Sequence, residues 1–161
     1  MSGDLVRLKD LPKVSLHDHL DGGVRPRTVL DLAREIELST PESTEADLAR
    51  WFIHRASAGS LADYLATFDM TIAVMQTREG LTRVAREYVN DLGDDGVVYG
   101  EVRWAPEQHL TRGLTLDDAV DAVRDGLERG SEDARNRTGH SIRVTQILSA
   151  MRNAHRSREI A

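Results

Sequence analysis

Cysteine is absent from this chain of 161 residues. Disulfide bonds and metal sites built on thiolate ligands are therefore excluded. The sequence also contains no apolar run of about 18 residues, so no membrane span is expected. Residues 1–7 lack the apolar core of a signal peptide. These absences together lead us to expect a soluble, cytoplasmic protein.

An excess of positive charge is absent as well. The chain has 21 basic against 27 acidic residues, and its formal net charge is −6. General electrostatic attraction to nucleic-acid phosphates is therefore not expected. The sequence is 40% hydrophobic, which at this length is enough for one modest domain with a real core. We expect residues 1–161 to form a single domain, with neither nucleic acid nor membrane as a partner.

The most informative segment present is KVSLHDHLDGG at residues 13–23. A short apolar run leads into two histidines and a Gly-Gly turn follows, a pattern typical of a β-strand that ends in a loop. Alternate residues of a strand point to the same face, so the imidazoles of His17 and His19 would converge. Neutral imidazole is a good zinc ligand. On spacing alone, a metal site and a pair of ordinary loop histidines remain equally possible.

Strand-like and helix-like segments alternate along the chain. Strands are predicted at residues 13–17, 97–104 and 142–150. Capping pairs or a first-turn proline predict helices that start near Pro26, Thr44, Ser60, Thr77 and Thr115. This alternation implies parallel strands joined by right-handed crossovers. An α/β protein with an open sheet and one with part of a (β/α)8 barrel fit the pattern equally well, and both place active groups at carboxyl strand ends.

Four segments resemble the adenosine deaminase family, in the family's order. Residues 12–22 (PKVSLHDHLDG) resemble its opening motif, and residues 61–75 its active-site lid helix. Residues 98–106 (VYGEVRWAP) resemble its second barrel strand, and residues 147–152 (ILSAMR) its third. The chain is therefore identified as the N-terminal portion of a member of this zinc-dependent family of metal-dependent hydrolases.

The resemblance implies a (β/α)8 barrel of which this chain supplies about three parallel strands with their intervening helices. It also implies hydrolytic deamination of adenosine and 2′-deoxyadenosine to inosine and 2′-deoxyinosine plus ammonia, as in purine salvage. One Zn²⁺ per full-length subunit and a small-molecule purine nucleoside as partner follow from the same resemblance. In this reading residues 1–161 form an incomplete metal-dependent hydrolase barrel.

The family's site residues can be carried over one by one. His17 and His19 match the first two zinc ligands, and His19 also borders the substrate. Asp21 matches the residue that binds the ribose 5′-hydroxyl, and Met151 one that packs near the base. The apolar gate over the purine is matched by Leu61, Tyr64, Leu65 and Phe68.

The chain departs from the family in its length. A (β/α)8 barrel takes about 250 residues, and the family's other zinc ligands and its general acid/base Glu lie beyond position 161. No catalytic residue is therefore assigned in this chain, and the chain by itself is expected to be inactive. Two alternatives stay open: an adenine deaminase of the same family, which tends to have Glu where this chain has Asp21, and a catalytically silent half-barrel.

Structural roles compete with several of these assignments. Asp21 could simply form the turn before Gly-Gly, and the apolar stripe at residues 61–75 could be ordinary core. Glu101 and Arg103 are interpreted as an ion pair on one strand face, in which each side chain neutralises the other, because burying either charge alone would be costly. Solvated or capping roles are expected for the remaining histidines, His54, His109, His140 and His155.

Overall fold

The computed structural model describes residues 11–57, 59–152 and 154–160, with the backbone alone at 62, 63 and 66. The strands are β1 (Lys13–His19), β2 (Val97–Trp104) and β3 (Arg143–Leu148). The helices are α1 (Pro26–Glu35), α2 (Glu45–Ala56), α3 (Leu61–Val74), α4 (Arg78–Asp94), α5 (Leu116–Thr138) and α6 (Ser157–Ile160). Two 3₁₀ turns follow the first two strands, at Leu20–Gly22 and Pro106–His109.

The three strands form one parallel sheet in the order β1-β2-β3. His19 lies beside Arg103 in the register of β1 with β2, and Arg103 lies beside Ile147 in that of β2 with β3. The carboxyl ends of all three strands therefore meet at one edge of the sheet. This arrangement confirms the predicted parallel strands and places the turns after β1 and β2 next to each other.

Threonine caps determine where three of the helices begin. Thr44, Thr77 and Thr115 each accept a hydrogen bond from the backbone N–H three residues on. This satisfies one of the amides that a helix start leaves without an intrahelical partner. Helix α5 ends at Gly139, whose φ of 77° is the left-handed conformation that glycine adopts without a Cβ penalty. The predicted helix starts at these threonines are confirmed.

Helices α4 and α5 pack closely on the outer side of the sheet. A Cβ added at Gly126 would lie 2.4 Å from the Thr82 carbonyl oxygen, and one at Gly130 would lie 2.7 Å from that of Arg86. The absence of a side chain at both positions lets the two helix backbones approach. The core beneath them includes Val89, Val102 and other buried apolar side chains.

Three strand bounds differ from prediction. Strand β1 continues to His19, two residues beyond its predicted end, through an irregularity in its register between Ser15 and Asp18. Strand β3 spans Arg143–Leu148 rather than residues 142–150. Its partner β2 ends at Trp104, and the turn that begins at Pro106 provides no further strand for β3 to pair with.

The interpretation of the α3 stripe as core is right only for its second half. Met75 is completely buried, whereas Leu65 is exposed and Leu61 is 72% exposed. The predicted capping partner of Ser60, Asp63, lies outside the described side chains. None of the helices in the described ranges is long and apolar enough to cross a membrane.

The role predicted for His109 is wrong. The side chain is completely buried rather than solvated, and its ring lies 5.5 Å from that of Trp104. His109 Nδ1 donates to the Met75 carbonyl oxygen at 3.0 Å. Burial lowers the pKa of His109 to about 4, so the imidazole is neutral at pH 7. In contrast, His54 and His140 are exposed as expected.

Candidate functional site

Two imidazoles meet at the carboxyl end of β1. The ring centroids of His17 and His19 lie 5.9 Å apart, with the planes inclined at 60°. His17 has a φ of 58°, which is unusual for a residue with a side chain. This conformation lies within the register irregularity of β1. The rings approach through this bulge, and not through the plain strand alternation that predicted their convergence.

Arg103 fixes the orientation of His19. Arg103 Nη1 lies 3.1 Å from His19 Nε2, and Nη2 donates to Ser149 Oγ at 2.9 Å. A guanidinium can only donate, so His19 Nε2 accepts this hydrogen bond and its one lone pair points at Arg103. The predicted pairing of Arg103 with Glu101 is wrong: in the described chain Glu101 accepts from the Tyr99 hydroxyl at 3.1 Å.

Asp21 carries a buried carboxylate beside these groups. It lies in the 3₁₀ turn after β1, and its Oδ1 has no hydrogen-bond partner among the described residues. His19 Nδ1 is 3.7 Å from that oxygen. Burial raises the pKa of the Asp21 carboxyl, although the nearby charges of His19 and Arg103 act in the opposite direction. A buried acceptor without a donor is costly, so this oxygen is available for a ligand that donates.

A cavity of about 680 Å³ opens in front of these side chains. Predicted site residues that line it are His19, Asp21, Tyr64, Leu65, Phe68 and Met151. His17 and Leu61 lie outside the lining among the described residues. The structure therefore brings most of the predicted substrate residues to one space, and it places Leu61 away from that space.

Helix α3 roofs the cavity with aromatic side chains. The Phe68 ring stands edge-on to His19 at 6.5 Å, and Tyr64 packs edge-on against Phe68 at 5.4 Å. Phe68 also contacts the turn at Gly22, where an added Cβ would lie 3.6 Å from the ring. One wall of the cavity is thus polar and belongs to the strands, while the wall from α3 is largely apolar.

Several lining residues escape prediction from the sequence. Arg103, Trp104 and Gln108 line the cavity from the end of β2, and Asp69 lines it from α3. The available signal was positional: Arg103 and Trp104 end a strand that runs parallel to β1, so they reach the same edge as His19. The charges of Glu101 and Arg103 favoured an ion pair between them, and this interpretation left the position of Arg103 at the strand end unused.

The donor set fits part of a zinc site. His17 and His19 supply two imidazoles, with ring centroids 5.9 Å apart, and zinc binding at His19 Nε2 would replace the hydrogen bond that this nitrogen accepts from Arg103. The parts of the chain that the structure describes contain no group of three or more histidine, aspartate or glutamate side chains able to hold a metal. The residues present therefore fit two positions of the four that zinc prefers.

A second cavity of about 710 Å³ lies between α1, α4 and α5, away from these groups. Three of its four lining arginines form ion pairs: Arg83 with Asp31 at 2.9 Å, Arg78 with Asp125 at 3.1 Å, and Arg86 with Asp133. Charges that neutralise one another on helix surfaces give no reason to expect a ligand. The candidate site is therefore the cavity at the carboxyl edge of the sheet.

Comparison with known proteins points to one family. A model of the adenosine deaminase family matches residues 12–161. Adenosine deaminase 1 of Streptomyces coelicolor is 55% identical over 156 residues, which are 96% of this chain and 39% of that protein. An adenosine deaminase of Mycobacteroides abscessus is 55% identical over 159 residues, or 98% of this chain and 44% of that protein. The chain thus spans about two fifths of the length of these relatives.

Solved structures agree on the fold. The N6-mAMP deaminase of Arabidopsis superposes with a TM-score of 0.71 at 29% identity, over 91% of this chain and 43% of that one. An amidohydrolase of Burkholderia ambifaria with bound Zn gives 0.63 at 25% identity, over 86% and 36%. An adenine deaminase of Arthrobacter aurescens, at 24% identity, TM-score 0.64 and coverage of 86% and 39%, shows the fold alone. The strands and helices described here are the N-terminal part of a (β/α)8 barrel.

Proposed function

Because this chain belongs to the adenosine deaminase family, we propose that it is the N-terminal part of an enzyme that deaminates adenosine and 2′-deoxyadenosine. The products would be inosine and 2′-deoxyinosine plus ammonia. One observation carries the proposal: an Asp21 oxygen with no partner among the described residues and the His19 ring border one cavity under an aromatic roof. A nucleoside has both an apolar base and donor hydroxyls, so it suits such a space.

We propose Zn²⁺ as the cofactor, one per full-length subunit, with His17 and His19 as the ligands from this chain. When bound, zinc lowers the pKa of the water it carries to about 7, which makes a nucleophile available at neutral pH. Arg103 would hold the His19 ring in place through Nε2 until zinc replaces that hydrogen bond. The remaining ligands and the general acid/base would come from residues outside this chain, so the chain alone is expected to be inactive.

Asp21 and α3 are proposed to bind the nucleoside. The Asp21 carboxylate would accept a hydrogen bond from the ribose 5′-hydroxyl and so satisfy its buried oxygen. Tyr64, Leu65 and Phe68 would cover the base and exclude water, which strengthens the polar interactions beneath them. Met151, after β3, would pack at the base from the opposite wall.

The substrate is proposed to be a free purine nucleoside acted on in the cytoplasm during purine salvage. Structure relatives support the purine class, because Arabidopsis ADAL has been solved in complex with GMP and with IMP. The net charge of −6 is consistent with a small-molecule substrate, since it disfavours binding to a nucleic acid.

The test is a deamination assay of the full-length protein with adenosine, 2′-deoxyadenosine and adenine. Adenosine is expected to have the highest kcat/KM, and His17→Ala and His19→Ala are each expected to abolish both activity and bound zinc. His140→Ala, which changes an exposed histidine at the end of α5, is the matched control and should retain both. Faster turnover of adenine, or full activity in the His19 variant, would contradict the proposal.

A further inference from the structure

Two buried polar side chains connect the carboxyl end of α3 to the turn after β2. Gln76 lies two residues beyond the end of α3, and His109 closes the Pro106–His109 turn. Both are buried. Neither is used in the function proposed above. Buried polar groups are usually hydrogen-bonded; His109 meets this through Nδ1 alone, because its Nε2 has no partner among the described residues.

Gln76 uses the full hydrogen-bonding capacity of its amide. Its Nε2 donates to the Ile72 carbonyl oxygen at 2.7 Å and to that of Gln108 at 2.9 Å. Its Oε1 accepts from the Thr111 backbone N–H at 3.0 Å and from the Thr111 hydroxyl at 2.7 Å. An amide offers two donors and two acceptor positions, so one side chain joins α3 to both ends of the 108–111 segment.

His109 makes the connection in the reverse direction. It lies on the β2 side and donates from Nδ1 to the Met75 carbonyl oxygen at 3.0 Å. Its ring rests against Trp104, which is buried at the end of β2. The Gln76 and His109 contacts therefore cross: each residue is anchored in one segment and bonded to the other. We call this pair of contacts the clasp.

The clasp lies at one end of the roof of the cavity. Ile72 and Gln108, whose carbonyl groups Gln76 holds, both line the cavity. At the other end of α3, Leu61 and Leu65 are exposed, and Gly59 precedes the helix with a φ of 72° and open space around it. Among the described residues, the buried hydrogen bonds that tie α3 to the turn after β2 are therefore at its carboxyl end.

We propose that the clasp is the pivot of α3, and that Gln76 and His109 are positioning residues which keep the roof aligned over the nucleoside. This inference rests on the proposed function. With the carboxyl end fixed, Phe68 and Ile72 keep their places beside His19 and the turn after β2 when a substrate enters the cavity. Without the clasp, the whole helix must be ordered when the substrate binds, so affinity falls.

The substitutions that test the pivot are Gln76→Leu and His109→Leu in the full-length protein. KM for adenosine is expected to rise about tenfold in each, with kcat changed less than about twofold, because neither residue touches the reacting atoms. His109→Asn, whose amide can still donate to the Met75 carbonyl oxygen, should restore most of the loss.

Thr82→Val is the matched control. It removes a hydrogen bond of 3.0 Å from the Thr82 hydroxyl to the Ala122 carbonyl oxygen, which joins α4 to α5 away from α3. A similar loss of stability is expected without the change in KM. If Thr82→Val raises KM as much as Gln76→Leu does, the effect is general destabilisation and the clasp is not a pivot.

Hydrogen exchange separates this inference from the proposed function, because it needs no substrate. Amides of α3 should exchange at least about tenfold faster in Gln76→Leu than in the unchanged protein, with those of α4 and α5 unaffected. Thr111→Val, which removes only the hydroxyl that donates to Gln76 Oε1, covers the case in which the leucine variant does not fold, and should give a smaller increase. Unchanged α3 exchange in either folded variant would overturn the pivot, whatever the enzyme proves to deaminate.

Discussion

At the scale of single residues, Asp21 offers a direct test of substrate recognition. A hydrogen bond to a charged group contributes about 1.5–3 kcal/mol, or roughly 10- to 150-fold in an equilibrium constant. If the buried oxygen of Asp21 binds the 5′-hydroxyl, Asp21→Ala in the full-length protein should lower kcat/KM for adenosine by that factor or more. The assay compares adenosine with 5′-deoxyadenosine, which has no hydroxyl to hold and should lose much less.

The same comparison separates binding from turn formation. If Asp21 only shapes the turn after β1, its loss should harm both nucleosides equally and lower the melting temperature. Equal losses on the two substrates together with a reduced melting temperature would therefore assign Asp21 a structural role.

His109 should make stability depend on pH in a defined window. Its pKa is about 4 in the folded chain, against about 6.5 for an unperturbed histidine. As the pH falls between these values, the unfolded state binds a proton that the folded state excludes. The free energy of unfolding should therefore drop by about 3 kcal/mol across the window and level off below it.

Urea unfolding across that window measures this loss. His109→Asn, which keeps a donor for Met75 but does not titrate, should show a flatter pH dependence than the unchanged protein. His140→Asn changes an exposed histidine and should leave the slope as it is. A slope in His109→Asn as steep as that of the unchanged protein would show that other groups dominate.

His109 and Arg103 have environments that the sequence alone does not predict. The His17–His19 segment could be singled out because its spacing and its flanks are local features. The burial of His109 and the partners of Arg103 depend on which segments meet in space, and a single histidine or arginine in a sequence contains no such information. For Arg103, the predicted parallel strands already indicated that its position is near His19, but an ion pair with Glu101 was preferred.

At the scale of the elements, the close contact between α4 and α5 predicts that replacing a helix glycine by alanine lowers stability, which is the opposite of the usual effect. Gly→Ala inside a helix ordinarily stabilises by about 1 kcal/mol. At Gly126 the new Cβ would lie 2.4 Å from the Thr82 carbonyl oxygen and 2.7 Å from the Ala85 Cβ. The helices must separate, so Gly126→Ala should destabilise by about 1–3 kcal/mol.

Thermal or urea unfolding of the variant shows whether Gly126→Ala raises or lowers the free energy of unfolding. Glu128→Ala, on the exposed face of the same helix, is the control and should change stability by less than about 0.5 kcal/mol. A stabilising Gly126→Ala would mean that the two helices are not in close contact.

Helix starts were the most predictable part of the fold. Thr44, Thr77 and Thr115 cap helices through their own side chains, so the sequence contains the full cause of each boundary. The end of β3 was less predictable because it depends on where its neighbour β2 stops. The stripe of α3 could be recognised as apolar, but which half is buried depends on the packing of the turn after β2.

At the scale of the whole molecule, the exposed inner side of the sheet predicts association of the isolated chain. Val14 and Leu16 are each 61% exposed on β1, and among the described strands β1 and β3 are each paired along one edge only. Free strand edges and apolar surface promote intermolecular contact. We expect the 161-residue chain to self-associate at micromolar concentration in light scattering.

Charged substitutions test which surface is responsible. Val14→Lys with Leu16→Lys should reduce association, whereas Ile53→Lys, at a position 67% exposed on α2, should not. A monodisperse monomer with a cooperative thermal transition would contradict the prediction.

Zinc binding by the isolated chain should be weak. Two imidazoles leave half of a four-ligand shell to water, and protein zinc sites ordinarily use at least three protein ligands. Isothermal titration at neutral pH should show an affinity far below that of the full-length protein, and His17→Ala with His19→Ala should abolish it. Tight stoichiometric binding would mean that another side chain completes the site.

The conformation of His17 has a consequence for selection experiments. A left-handed backbone costs a residue with a side chain about 1–2 kcal/mol relative to its ordinary conformation, a cost that glycine does not incur. With a φ of 58°, position 17 is one where His17→Gly would gain stability while losing an imidazole. A library screened only for thermal tolerance would therefore enrich glycine there, and one screened for turnover would remove it. Disagreement between the two screens at one position would identify a residue retained for chemistry at the expense of folding.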